Sequence, residues 1–391
     1  MNKFIYADNA ATTKLKTEVL EEMMPYLTDN YGNPSSIYQF ASKSKTAIEN
    51  ARCKIASSFN ADPKEIIFTS GASEADNWAI KGIAYSMKDK GNHIITTKIE
   101  HHAVLHTLEA LEKEGFSVTY LDVDEDGLID LNNLENAITD KTILITIIFA
   151  NNEIGTISPI KEIGEIAKKH NVFFHTDAVQ AVGNVKIDVK ELNIDLMSVT
   201  AHKIYGPKGV GALYVKKGIK LSPYIHGGGQ EKGKRAGTEN VAGIVGFGKA
   251  IEMAVSDIDN KVKKISGLRD LYIDTVLKEI PYVRLNGHRT KRLCNNANMS
   301  FRFIEGEALL LSLDLVGICA SSGSACTSGS LDPSHVLLAI GLPHEIAHGS
   351  LRITFGDFNT KEDVYYIIEK LKEIVARLRA MSPLYENVER K

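Results

Sequence analysis

The chain contains no apolar run long enough to cross a membrane. The longest near-continuous run, ILITIIFA at residues 143–150, is far shorter than the ~20 residues that a membrane-spanning helix needs. The first residues, MNKFIYADNAATT, lack the apolar segment and the small-residue cleavage site of a secretory signal. We therefore expect a cytoplasmic protein with no membrane partner.

Neither sign of charge is in clear excess. The net charge is −3 over 391 residues, and the Lys and Arg residues are dispersed along the chain rather than gathered in a basic stripe. This distribution predicts no nucleic-acid partner. With 43% apolar and 24% charged residues, the composition is that of a globular protein large enough for two domains.

Cysteine is scarce. The four cysteines are Cys53, Cys294, Cys319 and Cys326; no pair has CxxC spacing, and the closest two lie seven residues apart. We therefore predict no metal site, and no disulfide in a cytosolic chain. Cys53 falls in a helical pattern and Cys319 ends an apolar run, which favours packing roles for both, whereas the pattern around Cys294 indicates no role.

Cys326 differs from the other three cysteines in its surroundings. It lies in ASSGSACTSGSLDPSH, residues 320–335, without the apolar neighbours that a structural cysteine usually has. A Gly/Ser-rich segment of this kind is typical of a flexible, solvated loop. A reactive thiol and an incidental surface cysteine are both compatible with the loop by itself.

The order of predicted elements indicates an α/β protein. Short apolar runs alternate with helical patterns between residues 66 and 215, which predicts a mostly parallel sheet flanked by crossover helices. After HGGGQEKGKRAGTEN the pattern changes to helices and short strands. We predict a large domain at residues 15–256 and a smaller α+β domain at residues 1–14 and 257–391 that carries a mobile Cys326 loop at about 320–335.

Ligands of open parallel sheets bind at the carboxyl ends of the strands, so polar residues that follow apolar runs are candidates. Ser70 to Ser73 follow EIIFT and open a helix, which suits either a phosphate or an ordinary capped turn. Asp177 follows VFFHT and could face a protonated ring nitrogen or cap a helix. His101 and His102 follow TTKIE and could stack on a ring or simply begin a helix.

Lys203 is a further candidate at the same edge. It follows LMSVTAH and precedes the turn YGPKGVG. A partly desolvated lysine there can bond covalently to an aldehyde. An aldehyde-binding lysine, an acid for a pyridine nitrogen and a phosphate cradle are together the protein groups that pyridoxal phosphate requires.

Ten stretches in the same order along the chain are similar to those of the fold-type I pyridoxal-phosphate enzymes, and among them to the cysteine desulfurases of the NifS/IscS type. The stretches are YADNAATT, YGNPSS, FTSGASEADN, EHHAVL, ANNEIGT, HTDAVQAVG, TAHKIYGPKGVG, RAGTEN, SSGSACTSGSLDPSHVL and HGSLRITFG. They cover nearly the whole chain.

The resemblance implies a role for each matching residue. Lys203 would bind the cofactor aldehyde, Asp177 the ring nitrogen and Gln180 the ring hydroxyl, while His101 would stack on the ring. The phosphate would be held by Ala72, Ser73, Thr200 and His202, and by Thr238 from the other subunit of a homodimer. Asn152 and Arg352 would receive the substrate, and Cys326 would take up its sulfur.

The implied reaction is the conversion of L-cysteine to L-alanine, with a persulfide left on Cys326 for a sulfur-acceptor protein such as an iron-sulfur scaffold. Two alternatives remain at this point. An aminotransferase or selenocysteine lyase would use the same cofactor residues but would not need Cys326. A scaffold without cofactor would need none of Lys203, Asp177, Arg352 and Cys326.

Overall fold

A computed structural model describes residues 3–322 and 333–385. The strands are β1 Ile5–Tyr6, β2 Ile66–Thr69, β3 His93–Thr97, β4 Ser117–Leu121, β5 Thr142–Thr146, β6 Phe173–Asp177, β7 Leu196–Thr200, β8 Gly211–Val215, β9 Val283–Leu285, β10 Asn296–Phe301, β11 Ile318–Cys319 and β12 Ser350–Thr354. The helices are α1 Thr17–Leu27, α2 Ser42–Ser57, α3 Ala72–Ser86, α4 His102–Lys113, α5 Leu131–Asn136, α6 Ile160–Lys169, α7 Gln230–Gly233, α8 Val241–Ser256, α9 Ile258–Glu279, α10 Gly306–Leu315, α11 His335–Ala339, α12 His344–His348 and α13 Lys361–Ala380.

The larger sheet has seven strands in the order β2-β8-β7-β6-β5-β3-β4. Strand β8 runs antiparallel to both of its neighbours, β2 and β7, and the pairs from β7 to β4 are parallel. The predicted mostly parallel α/β sheet is therefore confirmed. Because β2, β3, β5, β6 and β7 all point the same way, their carboxyl ends meet at one edge.

Both faces of this sheet are covered, which explains why its strands are apolar almost throughout. Successive residues of one strand enter different cores: Leu144 packs with α3 and α4 on one face, and Ile145 packs with α2 and α8 on the other. The same alternation separates Leu196 from Met197. Helices on both faces hold the strand ends in fixed positions.

A second core lies around the antiparallel sheet β12-β10-β9. It joins residues of β1 to residues of α9, α10, β10, β12 and α13. Strand β1 pairs with β11, so the start of the chain packs among elements that follow α8. The domain boundaries at 14/15 and 256/257 stay a prediction.

Within residues 3–322 and 333–385, no helix combines the length and the apolar character that spanning a membrane requires.

A buried ion pair holds the glycine-rich segment at residues 226–240 against the large sheet. The guanidinium of Arg52 on α2 donates to both carboxylate oxygens of Glu231, at 2.9 and 2.7 Å. Glu231 also accepts from the backbone N–H of Phe68 in β2 at 2.9 Å, and Arg52 donates to the carbonyl of Ile66 at 2.8 Å. Both charged side chains are about 95% buried, so each provides the counter-charge of the other inside the protein.

We expect Arg52→Ala to lower the free energy of unfolding by about 3–5 kcal/mol, because it leaves the Glu231 carboxylate buried without a cation. Urea unfolding followed by circular dichroism measures the change. The matched control is Lys186→Ala, whose partner Asp259 is 79% exposed and which should cost less than about 1 kcal/mol. Equal effects of the two variants would contradict this account of the Arg52–Glu231 pair.

Candidate active site

The strand ends at the common edge of the large sheet surround a cavity of about 630 Å³. Loops after β2, β3, β5, β6 and β7 supply most of its lining, and β12 of the smaller sheet supplies Arg352. The predicted site residues that line the cavity are Ala72, Ser73, His101, Asn152, Asp177, Gln180, Thr200, His202, Lys203 and Arg352. Residues from distant parts of the sequence therefore meet in one place.

One end of the cavity is the amino end of α3. Gly71 occupies the N-cap position and provides no side-chain hydrogen bond, so the first-turn N–H groups have no side-chain cap. The hydroxyl-bearing residues Ser73 and Thr200 line the same end of the pocket, and the Thr200 hydroxyl donates to the carbonyl of Val210 at 3.2 Å. An uncapped helix start beside hydroxyl groups suits a phosphate.

Lys203 lies in a short 3₁₀ turn directly after β7. Its ammonium group donates to the carbonyl oxygens of Ala10 and Ala11, each at 2.6 Å. Gln180 donates to the same Ala10 carbonyl at 3.0 Å. The backbone at residues 10 and 11 therefore fixes two of the predicted cofactor residues.

Asp177 is the last residue of β6 and is 95% buried. One carboxylate oxygen accepts from the backbone N–H of Val179 at 2.9 Å in a turn, not at the start of an α-helix. Burial raises the pKa of Asp177 to about 6, while the Val179 N–H and the charge of Lys203 act in the opposite direction. A buried carboxyl group in this position favours a cationic partner inside the cavity.

Two histidines in the cavity are neutral at pH 7. Burial, and then the charge of Lys203, lower the pKa of His101 and of His202 to about 4. His101 also begins α4, where its Nδ1 accepts from the N–H of Ala103 at 3.1 Å. The helix-start role and a role at the cavity are thus compatible for His101. Nδ1 of His202 is hydrogen-bonded to the Thr12 hydroxyl at 3.1 Å.

Arg352 on β12 also lines the pocket and is 96% buried. Its guanidinium donates to the carbonyl of Asn152 at 3.1 Å and to the carboxylate of Asp8 at 3.0 Å. Its Nε has no hydrogen-bond partner within the described part of the chain. The arginine is therefore held in place and keeps one buried donor for a ligand.

One described residue of the predicted site, Thr238, does not line the cavity, and one predicted residue falls outside the described part of the chain. Thr238 is exposed on the segment that follows α7. Cys326 lies outside the described residues, so its predicted role is untested by the geometry.

The packing role predicted for Cys53 is wrong, because this residue lies on the exposed side of α2. Cys319 is partly exposed at the end of β11. Cys294, which had no predicted role, is buried and donates to the side-chain oxygen of Asn184 at 3.4 Å.

Three acidic residues near the cavity were missed from the sequence. Asp76 lines the pocket from α3, Asp8 pairs with Arg352, and Glu100 is fully buried behind β3 with a pKa that burial raises to about 8. Helical spacing could have identified Asp76, since it follows Ala72 and Ser73 by four and three residues and shares their face. Neither Asp8 nor Glu100 carries a comparable local signal.

These groups fit pyridoxal phosphate. The buried Asp177 carboxyl group would meet a protonated ring nitrogen, Lys203 would reach the aldehyde, and the start of α3 would take the phosphate. The neutral imidazole of His101 offers a flat face that adds no charge to the pocket.

Comparisons with known proteins agree with this arrangement. The family model for aminotransferase class-V matches residues 5–367. The cysteine desulfurase IscS of Clostridium botulinum is 62% identical over 389 residues, which are 99% of this chain and 98% of the relative. The structure of a NifS-like protein superposes with a TM-score of 0.91 at 39% identity, covering 96% of this chain and all of that one. A structure of SspA in complex with cysteine gives 0.81 at 40% identity, covering 91% of this chain and all of that one.

A family match over most of the chain and a relative of this identity over nearly all of it establish the family. The chain belongs to the aminotransferase class-V family and, within it, to the cysteine desulfurases, which depend on pyridoxal phosphate.

Proposed function

We propose that this protein removes the sulfur of L-cysteine, releases L-alanine and holds the sulfur as a persulfide on Cys326 for transfer to an acceptor protein, such as an iron-sulfur scaffold. The observation that carries the proposal is the meeting of Lys203, Asp177 and Arg352 in one cavity. The identity of the acceptor and the cytoplasmic location stay predictions from the sequence.

When bound, pyridoxal phosphate supplies an aldehyde for amino groups and a ring that withdraws electrons from the bonds of the substrate's α-carbon. The protein's part is to hold charges and protons in place. Asp177 would keep the ring nitrogen protonated, and the start of α3 with Ser73 and Thr200 would bind the phosphate. Lys203 would bind the aldehyde, and its amine would be placed to move the proton of the substrate's α-carbon.

Arg352 orients the substrate. Its guanidinium is buried and already fixed by Asp8 and by the carbonyl of Asn152, so little side-chain entropy is lost when it grips a carboxylate. The unpartnered Nε adds a donor on the same planar group. A bidentate contact of this kind would hold the α-carboxylate and direct the cysteine sulfur away from it.

The described residues on either side of the Cys326 segment contact the cavity lining or its chain neighbours. On one side, the backbone of Ser321 pairs with that of Arg352 through bonds of 3.2 and 2.6 Å. On the other side, the hydroxyl of Ser334 donates to the carboxylate of Glu153, the neighbour of Asn152. Both anchor points therefore adjoin predicted substrate-binding residues, which supports Cys326 as the sulfur carrier.

In the proposed transfer, the Cys326 thiolate attacks the substrate sulfur. A sulfur-sulfur bond forms as the carbon-sulfur bond of the substrate breaks, and the electron pair of that bond stays with the substrate's β-carbon, which takes up a proton to give L-alanine. The sum is L-cysteine plus enzyme thiol giving L-alanine plus enzyme persulfide, so atoms and electrons balance. No other oxidant or reductant is required.

The described cysteines are poorer carriers. Burial raises the pKa of Cys294 to about 11, and burial together with Asp314 and Asp8 raises that of Cys319. Thiolate is the nucleophilic form, so both are held in the unreactive form at pH 7. Cys53 is exposed, but it lies on α2 and does not line the cavity.

A homodimer is also proposed, and two observations support it. Thr238 is exposed and does not line the cavity of its own chain, although the resemblance gives it a phosphate contact. In addition, α1 and the segment after it expose a run of large apolar side chains, which in a monomer would face water. These side chains are Leu20, Met24, Leu27, Tyr31, Ile37, Tyr38 and Phe40.

The segment that carries Thr238 is tied to the cavity's phosphate end within its own chain. Arg235 donates from Nε and Nη2 to the two carboxylate oxygens of Glu74, at 2.9 and 3.0 Å. Glu74 lies in the first turn of α3, next to Ser73. This ion pair fixes the segment at the rim, from which a second chain would receive Thr238.

Lys203→Ala should abolish the visible absorption of the bound cofactor, because the amine that bonds to the aldehyde is gone. The absorption spectrum of the purified variant measures this directly. Lys261→Ala is the matched control, since Lys261 is also half-buried but donates to the carbonyl of Gly183 outside the cavity. A borohydride-reducible band that survives in Lys203→Ala would contradict the assignment.

A heterodimer of one Lys203→Ala chain and one Thr238→Ala chain tests the origin of Thr238. If Thr238 reaches the partner's site, one site carries both changes and the other carries neither, so half of the sites bind cofactor with wild-type affinity. If Thr238 acts within its own chain, no site is intact, and the site that keeps Lys203 binds about 5- to 30-fold more weakly through loss of one hydroxyl. Differently tagged chains allow the heterodimer to be purified, and cofactor titration then distinguishes the two results. A fully active monomer would also exclude the proposed contribution of Thr238 from a second chain.

Cys326→Ser should keep the cofactor absorption but form no persulfide, because a serine hydroxyl is not ionised at neutral pH and cannot replace the thiolate. Mass spectrometry after cysteine treatment should show one added sulfur on the Cys326 peptide of the wild type, removable by dithiothreitol, and none in the variant.

Cys53→Ser is the control for this experiment and should still gain the sulfur. Sulfide release at the wild-type rate by Cys326→Ser would instead favour a lyase or another enzyme of this fold. Absence of bound cofactor from the wild type would favour a scaffold.

A further inference from the structure

Asp76 is a buried acid in the cavity to which the proposed function assigns no role. It lies on α3, is 99% buried and lines the pocket. Neither of its carboxylate oxygens has a hydrogen-bond partner among the described residues. An ionised carboxylate in such surroundings would be strongly destabilised.

The residues around Asp76 do not supply a positive charge. His175 on β6 is the nearest basic group, and its Nε2 lies 3.7 Å from Asp76 Oδ1, beyond hydrogen-bond distance. The ring nitrogens of His175 are bonded instead to the hydroxyls of Thr146 and Ser198, at 2.8 and 3.0 Å. Burial lowers the pKa of His175 to about 3, so this imidazole is neutral at pH 7.

Asp177 is the close neighbour of Asp76. One side-chain atom each of Asp76, His101 and Asp177 lie within 4.8 Å of one another. Two carboxylates at this separation in a buried site cannot both be ionised, so the pair retains one proton. Glu100, whose pKa burial raises to about 8, adds a third acid to the same region.

The surroundings decide which member of the pair keeps the proton. Asp177 accepts a backbone N–H and is near the Lys203 ammonium, and both favour its ionised form. Burial and then the charge of Asp177 raise the pKa of Asp76 well above its usual value, and only the nearby Ser198 hydroxyl acts the other way. The proton therefore belongs on Asp76.

We propose that Asp76 is a protonated, neutral positioning residue that keeps Asp177 as the single carboxylate available to the cofactor's ring nitrogen. The inference rests on the proposed cofactor role of Asp177. A neutral acid can donate its O–H toward Asp177, and it adds no second negative charge to the floor of the cavity.

Infrared difference spectroscopy of the holoenzyme tests the protonation state. Asp76→Asn should remove a carbonyl band of a protonated carboxyl group, a band that shifts in D₂O. Loss of a carboxylate band in its place would overturn the inference. Because the amide has the same shape and no charge, the variant should bind cofactor within about threefold of wild type, since it can still donate a hydrogen bond.

Asp177→Asn is the comparison for cofactor binding. It should weaken cofactor binding strongly, because it removes the anion itself. Equal losses in Asp76→Asn and Asp177→Asn would overturn the role of Asp76 as a neutral residue. If Asp177→Asn had no effect, the proposed function would fail, whereas the infrared result would still report whether Asp76 is protonated.

The pH dependence of unfolding gives a second readout. Unfolded Asp76 loses its proton near its ordinary pKa of about 4, but the folded residue keeps it to higher pH. Stability contributed by this proton is present at low pH and is lost as pH rises. The folding constant of wild type relative to Asp76→Asn should therefore fall about tenfold per pH unit above about pH 4, until folded Asp76 ionises.

Comparing the two proteins cancels the titrating groups that do not interact with Asp76, while the groups that face it contribute through their coupling with it. The groups that face Asp76 are Asp177 and His175 from β6, Glu100 after β3 and His101 at the start of α4. A ratio that does not change with pH, or that rises with pH, would contradict the inference, because an ionised Asp76 carboxylate would produce one of those results.

Discussion

A carboxyl group buried at the floor of a cavity must either meet a cation or keep a proton. Asp177 is in this position at the end of β6, with one hydrogen bond and a pKa raised by burial. The Lys203 ammonium favours its charged form, and so would a protonated ring nitrogen. A pyridine ring with a protonated nitrogen would meet that requirement, and the predicted phosphate end and His101 would add affinity and orientation.

At the predicted substrate side of the cavity, the charged residue already has a partner within the protein. Arg352 is charged, buried and already paired with Asp8, so its position is set before any ligand arrives. The same residue pairs through its backbone with Ser321, at the border of the segment that contains Cys326. Substrate orientation and the anchor of the proposed sulfur carrier therefore depend on one strand, β12.

Much of the site could be predicted from the sequence because polar residues that directly follow apolar strands must gather at one sheet edge. Asp177, Lys203 and Ser73 are of this kind, and the alternation of strands and helices predicted the sheet itself. Asp8 and Glu231 could not be identified in the same way, because their partners are set by tertiary packing. The wrong packing role for Cys53 has another cause: a helical pattern alone does not say which side of α2 faces water.

The Arg235–Glu74 ion pair has a consequence for the proposed dimer. It links the segment that would contribute Thr238 to a neighbouring chain with the start of α3, the proposed phosphate site of its own chain. If cofactor binding in the neighbouring chain shifted that segment, the Arg235–Glu74 ion pair would move the first turn of α3 in the chain that contributes Thr238. Occupancy of the two sites would then be thermodynamically coupled, and because such coupling is reciprocal, each site would change the other's affinity by the same factor.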